Sequence, residues 1–148
     1  MKTLLVVVSV TMLLAAAPCA FAAEAVHAGI VKALAGEVTL VRDGRTFPAT
    51  LNAKVFQGDL VRTGKNGKVG LILEDDTVIS LGPDSHLVLE SFLFQPNEKK
   101  LSLVARILHG TVSYLSGQIA KLAPNLVHLK TPNATVGVRG THVLIQVD

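Results

Sequence analysis

The sequence predicts an all-β fold: a single compact domain of short, mostly antiparallel strands, built as a sandwich or roll behind an N-terminal signal peptide. Apolar residues recur with a period of two, the signature of strands with one buried face. Turn-forming residues interrupt these runs about every ten residues. The first 22 residues follow a different rule and are read separately.

That leader, MKTLLVVVSVTMLLAAAPCAFA, has one cation, Lys2, then an apolar stretch from Leu4 to Ala17 and a small-x-small site at Ala20-Phe21-Ala22. This is the layout of a secretory signal peptide. Cleavage is expected near Ala22/Ala23, which places the mature chain in the periplasm or outside the cell. The apolar stretch falls short of the roughly 20 residues that span a bilayer and ends in Pro18. No stable membrane span is therefore expected after cleavage. Pro18 suits lipid attachment at Cys19 poorly, so Cys19 is expected to leave with the leader. The mature chain then has neither disulfide nor thiol chemistry. Residues 23–35 read as a lead-in and 36–148 as the β domain.

Along that domain, Val38, Leu40 and Arg42 alternate first, before the Asp43-Gly44 turn. Gln57-Gly58-Asp59 and Gly64-Lys-Asn-Gly67 bound a short run containing Arg62. Val69, Leu71 and Leu73 share one face of the next strand, which Asp75-Asp76 ends. Gly82-Pro83-Asp84 precedes His86 to Phe94, whose nearly continuous apolar run predicts a strand covered on both faces. After Gln95-Pro96-Asn97, Leu101, Leu103, Ala105 and Ile107 face one way, Ser102 and Arg106 the other. Gly117 to Ala123 is the one helix candidate. Ala134 to Val147 reads as a final strand, bent at its glycines and paired with earlier strands. A faint echo links Gly36-Glu-Val-Thr-Leu, Arg62-Thr-Gly and Val69-Gly-Leu with Gly110-Thr-Val-Ser-Tyr, Lys130-Thr-Pro and Val136-Gly-Val. Duplication and convergent strand–turn grammar explain it equally well.

Composition excludes several functions. Hydrophobic content of 49% against 17% charged rules out a disordered chain. The formal charge of +3 includes Lys2, the cations are dispersed, and aromatic content is 4% without tryptophan. Stacking platforms for single-stranded nucleic acid are therefore scarce, and no nucleic-acid partner is expected.

Catalytic and metal-binding patterns are also missing. His27, His86, His109, His128 and His142 show no zinc-site spacing, so no metal is expected. Glu74-Asp75-Asp76 lacks the spaced ligands of a calcium loop and reads as a hairpin turn whose acids face water. There is no nucleophile elbow, and Ser80, Ser91, Ser102 and Ser113 lie within strands. Gly64-Lys-Asn-Gly67 and Gly137-Val-Arg-Gly140 lack the endings of phosphate and dinucleotide loops. Neither catalysis nor a cofactor is expected. Gly137 and Gly140 bracket Arg139, so the strand can bend there and aim one guanidinium. Arg139 reads either as a structural partner for a turn aspartate or as a recognition residue.

The segment Thr131-Pro-Asn-Ala-Thr-Val-Gly-Val-Arg-Gly-Thr141 resembles the signature of the FecR domain family, the periplasmic module of iron-dicitrate-type sigma-factor regulators. Gly58-Asp-Leu-Val-Arg-Thr-Gly64, Gly67-Lys-Val-Gly-Leu-Ile-Leu73, Asp76-Thr-Val-Ile-Ser-Leu-Gly82 and Gly110-Thr-Val are similar to it as well. The likeness runs from about residue 30 to the C-terminus, and the closing motif is its most specific part. It implies an all-β periplasmic domain that passes signals through protein contacts. Asp59, Arg62, Gly137, Arg139, Gly140 and Thr141 are the candidate interaction or structural residues. The regulators carry a cytoplasmic segment and a membrane helix, where this chain has a signal peptide. No direct sigma-factor contact is expected, and the expected partner is another envelope protein. A structural envelope component that packs with itself or in a larger assembly is the alternative.

Overall fold

In the computed structural model, which describes residues 26–139 and 142–148, alternation places the side chains as strand geometry dictates. The strands in chain order are β1 (Gly29–Ala35), β2 (Val38–Arg42), β3 (Arg45–Pro48), β4 (Lys54–Val55), β5 (Leu60–Thr63) and β6 (Lys68–Leu73). There follow β7 (Val78–Leu81), β8 (His86–Gln95), β9 (Lys100–Leu115), helix α1 (Gln118–Leu122), β10 (Val127–Lys130), β11 (Thr135–Gly137) and β12 (His142–Val147). Strand makes up 59% of the described residues and helix 9%, so the period of two describes most of them.

The strands form one curled sheet in the order β3-β2-β5-β8-β9-β7-β6-β1-β4. β10 and β12 also lie beside β9, and β11 lies beside β10. Every pair is antiparallel except β9 with β10. β9 joins two halves. Its first part pairs with β8 and β10, and the part from Gly110 onward with β7 and β12. The change of partners falls at Gly110, whose φ of +90° suits glycine. A Cβ there would also collide with Ser85. The Asp43-Gly44 turn joins β2 to β3 with both φ angles positive, 51° and 76°, as a two-residue hairpin of type I′ requires.

Inside the curl, Leu40, Val61, Leu71, Ile79, Leu87, Leu103 and Ile107 belong to one buried core with the fully buried Tyr114. Burial, with the charge of nearby Asp75, pushes the Tyr114 hydroxyl pKa up.

Several expectations need revision. The stretch read as a lead-in supplies β1, which pairs with β4 and β6 and buries Val31. β8 is not covered on both faces: Leu87 and Leu89 point inward, while Val88 and Glu90 are half-buried on the outer side. The reason is that an antiparallel sheet curled round one core leaves its other face to water. Asp75 does not face water. It is fully buried, with Oδ2 accepting from the Thr77 hydroxyl at 2.7 Å and from the Ile119 amide at 3.2 Å, so it ties α1 to the β6–β7 turn. The final strand is two strands, β11 on β10 and β12 on β9. The internal echo does not repeat as pairing, since β10 pairs with β11 while their counterparts β5 and β6 are not neighbours. The leader and Cys19 lie outside the described residues.

Candidate interaction face

Arg62 is the sequence-predicted residue around which a cluster forms. In β5, Val61 and Thr63 point into the core, which sends Leu60 and Arg62 outward. The register sets Arg62 beside His86 and His86 beside His109, making a row across β5, β8 and β9. The two imidazole rings lie 6.0 Å apart between centroids, tilted by 49°. His109 Nδ1 is 2.6 Å from the Asp84 carbonyl oxygen, which fixes the ring over the Gly82-Pro83-Asp84 turn. Burial, then the neighbouring Arg62 and His109, hold the His86 pKa below its ordinary value, against the pull of Asp84.

Buried hydroxyls beneath the row keep it in place. Thr63 Oγ1 donates to the Gly82 carbonyl at 2.6 Å and accepts the Ser85 amide at 2.9 Å. Ser85 Oγ in turn accepts the Thr111 amide at 3.0 Å. Satisfied polar groups of this kind rigidify the backbone that carries the exposed side chains.

A second cationic group lies further along the same side. Arg106 Nε donates to Glu90 Oε1, and Lys130 Nζ lies 3.3 Å from Glu90 Oε2. Burial pushes the Glu90 pKa up, but the hydrogen bonds and charges of Arg106 and Lys130 outweigh it and hold the carboxyl below its usual range. One carboxylate against two cations leaves positive charge. Leu60 and Val88, half-buried, separate this group from the histidine row. The whole forms a shallow basic face with an apolar middle, suited to an acidic protein surface. Among the described residues, no cluster of three or more His, Cys, Asp or Glu side chains is placed to hold a metal.

The other candidate residues do not join Arg62. Asp59, at the start of the same motif, is 1% exposed and accepts from Arg42 Nε at 2.8 Å and Nη2 at 2.7 Å. It also accepts the Phe56 amide at 2.9 Å, while the Arg42 guanidinium lies over the rings of Phe56 and Phe47 at 4.4 and 5.1 Å. Among the described residues, the turn aspartate Asp59 has Arg42 as its guanidinium partner. Arg139 is exposed, just beyond β11. Gly137 pairs with His128, and β8, β9 and β10 separate its strand from β5. Gly140 and Thr141 lie outside the described residues. The sequence reading missed the pairing of His86 with His109, because they lie 23 positions apart in the chain and only the β8–β9 register joins them. The alternation of Val38, Leu40 and Arg42 offered a weak signal for Arg42, since it marks a cation among inward positions.

A protein-family model described as FecR protein matches residues 59–148. No curated protein and no solved structure matches the chain. The matched span begins at Asp59 and includes the histidine row and the closing segment, but not Arg42 or the first four strands.

Proposed function

The chain belongs to the FecR family, and from that premise we propose that it is a non-catalytic periplasmic or secreted domain that binds another envelope protein. The family suggests a periplasmic, signalling-related domain. Among the described residues, no helix is long and apolar enough to cross a membrane. The observation that carries the proposal is the row of Arg62, His86 and His109 on a solvent-facing side of the sheet. Charges at the rim of an interface steer encounter and select partners, so the partner presents an acidic patch.

Capture from envelope extract tests the reading. The wild-type chain should retain a defined partner that salt releases, and Arg62→Glu should lose it while keeping the same urea midpoint. Retention unchanged by Arg62→Glu, or no partner with either chain, would overturn the assignment.

A further inference from the structure

A different face of the sheet points to a second copy of this chain. This face is separate from the basic face, which is built mainly on β5, β8 and the first part of β9. The relevant strands are β1, β6, β7, the last part of β9 and β12, adjacent in that order. Their registers align one outward row: Ala33 beside Gly70, Gly70 beside Ser80, Ser80 beside Ser113, and Ser113 beside Leu144. The first four are small and the fifth is a leucine left 68% exposed. All five line a shallow depression of about 420 Å³.

The neighbouring row runs Ile30, Ile72, Val78, Leu115 and His142. It is apolar for four of its five positions. Neither row carries an acidic or a permanently cationic side chain. A third row holds Ala35 beside Lys68 and Thr111 beside Gln146, with Lys68 lining the depression, while Lys54 on β4 extends the apolar row beside Ile30.

We infer that this face pairs with itself across a two-fold axis parallel to the strands and passing over β7. Isologous interfaces need a surface complementary to itself, and the row satisfies that condition position by position. Rotation about the axis keeps each residue at its height along the strands and exchanges β1 with β12. Leu144 then seats over Ala33 and Gly70 of the second copy, a knob entering its depression. Ser80 meets Ser80, and Gly70 meets Ser113. In the apolar row, Ile72 meets Leu115 and Val78 meets Val78. In the third row Lys68 of one copy meets Thr111 of the other, so no like charges are brought together there. Two sheets stacked this way form an aligned sandwich with the usual spacing of about 10 Å.

Interface size sets the expected strength. Five strands about 4.8 Å apart and three rows about 7 Å apart give roughly 500 Å² per copy, or about 1,000 Å² for the pair. That is the lower bound for a specific interface, about 1,000 Å². The dimer should therefore be weak and concentration-dependent, and a crowded envelope layer would populate it more than dilute solution does.

Sedimentation velocity on the mature protein, from about 1 µM to 1 mM, is the test, since a marginal interface has affinities in that range. The wild-type mass should rise from monomer to dimer. Leu144→Glu, which drives a carboxylate into the depression, and Ser80→Arg, which opposes two guanidinium groups at the axis, should each weaken dimerisation at least tenfold. Urea midpoints matching the wild type would show that both variants fold. Arg62→Glu, on the other face, should dimerise like the wild type. A wild-type chain monomeric throughout the series would overturn the proposal, as would a dimer indifferent to both variants or one that depends on Arg62. Loss of envelope capture by Arg62→Glu with dimerisation intact keeps this test separate from that of the basic face.

Discussion

Asp59 shows how one motif residue can serve the fold while its neighbour three positions on faces solvent. Its carboxylate is buried, and Arg42 answers it with two hydrogen bonds from β2. Removing the guanidinium would leave a buried carboxylate with only the Phe56 amide as donor. Breaking a buried pair costs about 3–5 kcal/mol. Arg42 is a third exposed, so water can reach the vacancy, and Arg42→Ala should cost nearer 3 kcal/mol in a urea titration. Asp59→Asn should cost less, because the amide can still accept. Glu90 gives the pH counterpart. Its folded pKa lies below the unfolded value of about 4.3. Its contribution is therefore present above that value and is lost as pH falls through the folded pKa. The stability gap between wild type and Glu90→Gln should be widest near neutral pH and should close below about pH 4. At this scale the sequence could be read for residue types but not for partners. Arg42 and Asp59 are 17 positions apart, and Glu90 meets Arg106 and Lys130 only through the sheet. The water-facing reading of Asp75 failed for the same reason, since α1 covers that carboxylate from 44 positions away.

Among elements, β9 shows what the sequence disclosed and what it hid. The alternation from Leu101 to Ile107 was visible, because one face meets the core and the other water. The length of the strand and its change of partners were not, because Gly110 reads equally well as a turn or as a bend inside a strand. The structure makes it the bend, with Ser85 packed where a side chain would be. Gly110→Val should therefore destabilise the domain twice, through its positive φ and through the collision with Ser85. Strained backbone alone costs about 1–3 kcal/mol, so the loss should exceed about 2 kcal/mol in the urea midpoint. Gly44→Ala tests the backbone term by itself, because nothing lies within 4 Å of the added Cβ. It should cost about 1 kcal/mol. A Gly110→Val loss no larger than that of Gly44→Ala would show that the bend tolerates a side chain. The pairing of β5, β8 and β9 that makes the basic face is hidden for a related reason: period two fixes which side a residue faces, not which strand lies beside it.

At the scale of the molecule, the closing segment completes the sheet and need not itself be a recognition loop. β11 covers β10, and β12 covers the part of β9 beyond its bend. Val138 is buried, while Val136, Val143, Ile145 and Val147 are partly buried against the core. A fully buried aliphatic side chain contributes about 1.5–3 kcal/mol and a half-buried one about half of that. The five together approach the entire net stability of a small domain, about 5–15 kcal/mol. Removing 131–148 would also strip Gly110 to Leu115 of hydrogen-bonded partners along one edge and leave an open strand prone to association. That truncated chain should lose cooperative unfolding in urea and precipitate at concentrations where the full chain stays in solution. Arg139 lies exposed just outside β11, and Arg139→Ala should shift the midpoint by less than about 0.5 kcal/mol. The two variants separate the possible roles of the segment. A cooperative truncated chain with an unchanged midpoint would mean that β1 to β10 suffice as a folding unit and that β11 and β12 are appended to it. A large loss from Arg139→Ala would mean that its guanidinium supports the fold, against its exposed position.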